Sequence, residues 1–381
     1  MIDRGRLERR TGELSRIAGR GTAVSRLGLS PDEQRARELV SSWLAPRGAQ
    51  VRRDAAANLF ARLPGEGEAV LVGSHLDSVP EGGRFDGALG VLCAVEAVES
   101  LLDAKVKLRR PIEVAAFGRL ARGVGDRRDH DGTSIADALR ALGERGDPST
   151  ARRDPKELAA YLELHIEQGP RLETARVPLG IVSAIVGIYH ARVVVHGRAD
   201  HAGATVMTAR ADALAAASEI VLAVERIARS RLDSVGTVGE IAVRPGAKNV
   251  VPGECVFSLD LRAARDHDGL VREVLDTVTQ IADTRGVAAS VDELARVPVT
   301  SLDSKIREVL RRATKSVGID APELVSGAGH DAQNPALSGV PTGMIFVRST
   351  GGSHTPREFA SLDDAALGAQ ALANAIRELA T

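Results

Sequence analysis

Apolar positions recur with two different periods along this chain, and the switch between them lays out its organisation. Ser30-Pro31-Asp32-Glu33 reads as a helix start, with Ser30 as the cap and Pro31 in the first turn. Ala36, Leu39, Val40, Trp43 and Leu44 then follow at helical spacing. The period shortens to β-branched runs at 50–53, 58–63 and 69–73, the last apolar enough to be buried on both faces. A turn-rich stretch over 78–87 leads into a predicted helix at 88–102, and 111–117 is another buried strand. Strands alternating with helices predict an α/β sheet whose ligands gather beyond the strand ends.

From about residue 184 the pattern changes. Strand-like 191–196, helix-like 209–230, strand-like 236–243 and 254–262, helix-like 268–285 and strand-like 288–292 make a βαββαβ unit. A helix from Leu302 and a strand at 343–347 then resume the earlier α/β style. The predicted organisation is an α/β domain in two parts, 1–183 and 299–381, interrupted by an inserted α+β domain at 184–298.

Composition narrows the partners. The 50 basic and 51 acidic side chains nearly cancel, so no strong field marks a binder of nucleic acid or of a membrane surface. Aromatic residues make up only 2%, which argues against base-stacking platforms. No run of 18 apolar residues occurs, and the opening Met1-Ile2-Asp3-Arg4-Gly5-Arg6 lacks the apolar core of a signal peptide, so a cytoplasmic protein is expected. Cys93 and Cys255 sit in apolar stretches and read as inert buried thiols.

The nine histidines have unequal settings. His75 follows a buried strand, His165 ends the strand-like 161–164, and His354 lies in a glycine-rich loop after 343–347. Asp86 sits in the turn Gly83-Arg84-Phe85-Asp86-Gly87. Singly, each is ordinary: a structural imidazole, or a turn-forming aspartate. Together, imidazoles and a carboxylate at strand ends are what Zn²⁺ or Mn²⁺ would use. His130, His190, His196 and His267 read as ordinary.

The segment GSHLDSVPEGGRFDGALGV (73–91) resembles the metal-site signature of the hydantoinase/carbamoylase family, within the dinuclear-zinc aminoacylase and carboxypeptidase superfamily. ELHIEQGP (163–170), GRADHAGAT (197–205), GAKNVVPG (246–253), SGAGHDA (326–332) and GSH (352–354) are similar to later family blocks in the same order, so the resemblance spans nearly the whole chain. It implies a zinc-exopeptidase-like α/β catalytic domain with a ferredoxin-like α+β insert that serves as lid and dimerisation domain. It also implies a homodimer, a divalent metal (zinc or manganese, with cobalt as a further option) and a small ureido acid as substrate.

By the same resemblance His75, Asp86 and His165 would hold one metal, Asp86 would bridge, and His354 would help to hold a second. His201 would stabilise the oxyanion, Arg262 would pair with the substrate carboxylate, and Asn249 would donate an amide N–H. Gln168 and His330 would line the remaining pocket. Without the motifs around them, Arg262 reads equally as a surface ion-pair partner, Asn249 as a turn former and His201 as a cap.

One block departs from the family pattern. After the strand at 111–117 the family continues with two residues and then Glu-Glu-Gly, a general base followed by a ligand of the second metal. Here the chain reads FGRLARGVG (117–125), so Leu120 and Ala121 stand where the pair belongs, flanked by Arg119 and Arg122. The connection to Asp131-Gly132 is also shorter than in the family, which implies an internal deletion. One site keeps three ligands, and the other keeps Asp86 and His354 alone, so one ion per chain in place of two is an option. Asp126, Asp129 and Asp131 are the nearest candidates by sequence to substitute, and a charged surface loop is their plainer reading. Three outcomes follow: a weakened C–N hydrolase, a non-hydrolytic ligand-binding descendant, or a defective copy that folds poorly.

Overall fold

The computed structural model describes residues 1–118, 132–145 and 147–381. They form two compact units, one of Met1–Ser183, Ser301–Leu324 and His330–Thr381, the other of Ala184–Thr300 and Val325–Gly329. Leu120, Ala121, Arg119, Arg122, Asp126, Asp129, His130 and Asp131 lie outside the described residues.

The first unit opens with α1 (Arg4–Ser15), α2 (Pro31–Leu44), β1 (Gln50–Arg53), β2 (Leu59–Arg62), β3 (Ala69–His75), α3 (Ala88–Asp103), β4 (Ile112–Phe117), α4 (Ile135–Ala141), β5 (Leu158–Ile166) and β6 (Leu179–Ile185). The second unit supplies β7 (Gly187–His196), α5 (Ala213–Arg229), β8 (Ser234–Thr237), β9 (Ile241–Arg244), β10 (Glu254–Ala263), α6 (His267–Arg285) and β11 (Ala288–Val297). The chain then completes the first unit with α7 (Ser304–Ser316), β12 (Thr342–Val347) and α8 (Leu362–Ala380).

The first unit is built on a mixed sheet in the order β1-β2-β4-β3-β5-β12-β6. Its middle, from β4 through β3 and β5 to β12, is parallel, and its two ends are antiparallel. Every residue of β3 is buried, and β5 is buried at all but one position. Helices on both faces explain their near-continuous apolar sequences. Because β3, β5 and β12 run in the same direction, His75, His165 and the loop after β12 emerge at one end of the sheet.

Two helices depart from the sequence reading. The predicted α2 is present, with Ser30 Oγ accepting from Glu33 N at 3.2 Å. Its buried face, however, includes Glu33 and Arg37, paired at 2.6 Å, while Leu39 and Trp43 are only half-buried. The helix α1 was not predicted, because of its own side chains it buries only Leu7, Thr11 and Leu14. Tertiary ion pairs hold it instead: Arg6 binds Glu96 at 2.6 Å and Arg10 binds Glu99, both glutamates being buried on α3.

The second unit is a ferredoxin-like βαββαβ fold whose antiparallel sheet has the order β8-β10-β7-β11, packed against α5 and α6. The run read as one strand at 236–243 is two strands, β8 and β9. Between them, Gly239 N and Glu240 N both donate to Ser258 Oγ, at 3.1 and 3.0 Å. The last strand continues past residue 292 to Val297, with a register irregularity between Glu293 and Ala295. Segment 325–329 joins this unit through Val186 N donating to Ser326 O at 3.0 Å and Arg262 Nη1 donating to Gly327 O at 3.2 Å. Both cysteines are free and buried. No helix among the described residues is long and apolar enough to cross a membrane.

Candidate metal centre and substrate-binding groups

His75 is the last residue of β3, and its ring is buried because Gly87, at φ +65°, leaves room for it: a Cβ on Gly87 would stand 2.3 Å from His75 Cε1. Its Nδ1 lies 3.0 Å from Asp77 O, and His165 Nδ1 lies 2.8 Å from Ile166 O. Each Nδ1 therefore carries the proton donated to a backbone carbonyl, which turns each Nε2 toward the other. The two Nε2 atoms are 3.4 Å apart, and His165 Nε2 is 3.4 Å from Asp86 Oδ1. Ligand atoms of His75, Asp86 and His165 all lie within 4.8 Å of one another, and all three residues are buried.

Such a set favours a positive charge at its centre, beyond the N–H bonds that Gly87 gives His165 Nε2 at 3.2 Å and Gln168 gives Asp86. Burial works against charging His75, but Asp77, Asp331 and Asp86 outweigh it and push the imidazole up to about 10. Burial also disfavours the Asp86 anion, yet His354, His165 and His75 hold its carboxyl well below the usual range. A proton between the two Nε2 atoms, or a metal ion in its place, satisfies the same acceptors, so the residues fit a divalent cation. Two nitrogens and one carboxylate oxygen is a ligand set that zinc and manganese both take.

His354 approaches the same carboxylate from the other side, with Nε2 3.4 Å from Asp86 Oδ2, but its side chain is 47% exposed. Among the described residues the second position thus has Asp86 and His354. Gln168 does more than line the pocket: its Nε2 donates to Asp86 Oδ1 at 2.9 Å and to Ser353 Oγ at 3.2 Å. His330 is buried edge-to-face against His165, with ring centroids 4.5 Å apart.

Glu163, His165 and His330 also converge closely enough to hold an ion. Glu163, however, already accepts from Ser74 Oγ at 2.8 Å, Tyr161 Oη at 3.3 Å and Ala332 N at 2.8 Å. Burial and the neighbouring Asp331 push its carboxyl upward, which suits a structural hydrogen-bonding hub better than a ligand. Sequence reasoning missed this residue, although it lies two positions before His165 and so shares its face of β5.

His201, Asn249 and Arg262 belong to the second unit. His201 is exposed, and its Nδ1 accepts from Gly203 N at 3.0 Å and Ala204 N at 3.1 Å. That fixes the tautomer and leaves Nε2–H as an outward donor. Asn249 is exposed, and its carbonyl accepts from Ala202 N at 2.9 Å, which ties it to the His201 turn. The Arg262 guanidinium is held by Asp260, through Nε to Oδ1 at 3.0 Å and Nη2 to Oδ2 at 2.8 Å, while Nη1 donates to Gly327 O. Of its five N–H groups, one on each Nη remains, the end-on pair that fits a carboxylate. His190 Nε2 stands 3.4 Å from Asp260 Oδ2 without a hydrogen bond to it.

A cleft of about 770 Å³ elsewhere in the first unit contains none of these residues. There Arg52, Arg62 and Arg153 surround buried Glu113 at 3.1, 3.3 and 2.7 Å, which makes it an ion-pair cluster.

Imidazoles and a carboxylate gathered at the ends of parallel strands, in a chain interrupted by a ferredoxin-like insert, define a zinc-exopeptidase-like hydrolase architecture. The model of peptidase family M20/M25/M40 matches residues 71–378, and the chain belongs to that family, among its hydantoinase/carbamoylase amidases. The chain is 39% identical to an N-carbamoyl-L-amino acid amidohydrolase of Geobacillus stearothermophilus, covering 100% of this chain and 99% of that protein. It is 32% identical to an allantoate deiminase of Arabidopsis thaliana, over 95% of this chain and 79% of the relative. A crystal structure of a hydantoinase/carbamoylase family amidase from Burkholderia multivorans superposes with a TM-score of 0.88 at 33% identity, covering 100% of this chain and 98% of that one.

Proposed function

We propose that this protein is a divalent-metal-dependent amidohydrolase that cleaves the C–N bond of an N-carbamoyl amino acid or a related ureido acid, at a rate lowered by the loss of the acidic pair. The convergence of His75 Nε2, His165 Nε2 and Asp86 Oδ1 carries this reading, because three buried ligand atoms within 4.8 Å of one another suit a cation, even though Gly87 N already donates to His165 Nε2 and Gln168 Nε2 to Asp86 Oδ1. Zinc or manganese bound there would polarise a substrate carbonyl and acidify a water. The chain's own groups do the rest. The end-on N–H pair of Arg262 grips the substrate carboxylate, and Asn249 donates to the substrate. His201 Nε2–H stabilises the developing oxyanion. Gln168 and His330 shape the wall beside Asp86. The insert serves as lid and dimer interface, in a cytoplasmic homodimer.

Leu120 and Ala121 offer no oxygen to accept the proton of the attacking water, and a positioned general base is worth about 10²–10⁴ in rate. That substitution also favours a second reading, a non-hydrolytic protein that binds ureido acids. Ammonia release from N-carbamoyl amino acids, ureidopropionate and allantoate, measured on Mn²⁺- or Zn²⁺-loaded protein against His75→Ala, separates the two. Release above the His75→Ala background supports hydrolysis. Saturable binding that Arg262→Ala removes, with no turnover in folded and metal-loaded protein, rules hydrolysis out for these substrates.

A further inference from the structure

The loop after β12 carries a carboxylate that neither holds a metal in the proposal above nor faces solvent. Glu358 is 5% exposed. Its Oε1 accepts from Phe85 N and Asp86 N, both at 3.0 Å, and its Oε2 accepts from Ser353 Oγ at 3.1 Å. The carboxylate therefore sits inside the turn that presents Asp86, while its own backbone belongs to the loop that presents His354. Gly83 makes the fit possible, since a Cβ there would stand 2.2 Å from Glu358 Oε1. Phe85 and Phe359 close the same junction edge-to-face, with centroids 6.1 Å apart.

A second acid beside Asp86 is unfavourable on its own account, because Glu358 is buried against a like charge and is held there by two backbone donors and Ser353. A buried charge placed against a like charge, and held there by three donors, is costly unless the geometry it enforces matters. What it enforces is the separation of the two loops. Asp86 Oδ2 and His354 Nε2 lie 3.4 Å apart although 268 residues of chain separate them, and His354 itself takes a left-handed backbone at φ +58°. Ser353 extends the tie, because Gln168 Nε2 donates both to Ser353 Oγ and to Asp86 Oδ1.

We infer that Glu358 is a positioning residue that clamps the Asp86 turn to the His354 loop and so sets the affinity of the metal centre. This rests on the proposed metal reading. The chemistry asked of Glu358 is acceptance of two backbone N–H bonds at Oε1 and one hydroxyl at Oε2, which hold it in the turn and not as a ligand. Glutamine meets that demand: its carbonyl oxygen can accept from Phe85 and Asp86, and its amide can donate to Ser353 Oγ. Aspartate does not, because it falls one methylene short of both N–H groups.

The test is a titration of metal-free protein with Co²⁺ alone, followed by visible absorption, for wild type, Glu358→Ala, Glu358→Asp, Glu358→Gln and His75→Ala, with circular dichroism to verify folding. Loss of such an outer support weakens metal binding by about 10–100-fold, and Glu358→Ala and Glu358→Asp are expected in that range with a changed cobalt spectrum. Glu358→Gln is expected within a few-fold of wild type. If Glu358→Ala does not fold, Glu358→Asp decides. Wild-type titration by the folded alanine or aspartate variant, with His75→Ala weakened, overturns the clamp and spares the metal reading. Wild-type titration by His75→Ala as well means that the metal reading itself has failed. A glutamine variant as weak as alanine overturns the clamp in favour of a purely electrostatic role.

Discussion

Replacing Gly87 by alanine asks whether the turn before α3 is shaped around His75. The residue has φ +65° and ψ −53°, outside the regions open to alanine, and a Cβ there would stand 2.3–2.5 Å from three atoms of the His75 ring. Gly67 supplies the control, because its φ is also positive at +79° but nothing lies within 4 Å of where its Cβ would be. Gly67→Ala should therefore cost the backbone penalty alone, about 1–2 kcal/mol. Gly87→Ala adds about 1–3 kcal/mol of overpacking against a buried ring and about 1 kcal/mol for the loss of the His75 bond to Asp77 O, for a total of roughly 3–6 kcal/mol. Trp43 is the only tryptophan and lies in the unit that holds both glycines, so urea unfolding of metal-free protein followed by its fluorescence reads the difference. Co²⁺ affinity should fall in Gly87→Ala and stay at the wild-type value in Gly67→Ala. Two variants within about 1 kcal/mol of each other, with equal cobalt binding, would refute the claim that Gly87 is glycine to make room for a ligand.

Two further outcomes follow from pairs the sequence did not reveal. Burial first, offset in part by Arg37, raises Glu33 from its ordinary 4.5 to about 7, so between those values the folded chain holds a proton that the unfolded chain has lost. Stability of this unit should thus fall as pH rises from about 4.5 to 7, by at most about 3 kcal/mol, and Glu33→Gln should flatten that slope in Trp43-monitored unfolding; an unchanged slope counts against it. Asp260→Asn should raise KM for the ureido acid roughly tenfold, about 1.4 kcal/mol, with kcat nearly constant, because Arg262 loses the partner that orients its end-on edge. A fall in kcat at unchanged KM would show that Arg262 is not a substrate anchor.

Elements whose stability is local were legible in the sequence; those held by distant partners were not. Ser30, Pro31 and the spacing from Ala36 to Leu44 describe α2 by themselves, and the all-apolar β3 announces a central parallel strand. Nothing near residues 4–15 tells that Arg6 and Arg10 will find buried glutamates some 90 positions on. The interruption of 236–243 likewise depends on Ser258, on the neighbouring strand. At the candidate metal centre the residues proposed as ligands stand out because strand ends and family blocks mark them. Their supports do not: Glu163 and Glu358 look like any strand or loop glutamate until folding surrounds them with N–H and O–H donors.

Those supports bear on whether another carboxylate could serve as base in the proposed reaction. Among the described residues, the buried glutamates around the candidate ligands are Glu163, Glu167 and Glu358, and each already accepts hydrogen bonds. Glu163 accepts from Ser74, Tyr161 and Ala332; Glu167 accepts from Arg171 N at 2.8 Å and Leu172 N at 2.7 Å, capping a short helix; Glu358 accepts from Phe85, Asp86 and Ser353. Each keeps a free acceptor site, but its orientation is set by the donors it already serves, and turning the carboxylate away from a backbone N–H to face a water would break a bond worth about 1.5–3 kcal/mol. Such a turn would cost a large part of what a positioned base returns, which makes these three poor substitutes for a base in the proposed reaction. A wild-type chain that hydrolysed ureido acids as fast as a relative that carries Glu-Glu there would owe its base to another carboxylate, and the candidates are Asp77 and Asp331, whose charges act on His75, and Asp126, Asp129 and Asp131 by sequence; the Asn variant of that one residue would abolish the speed where Glu163→Gln would not.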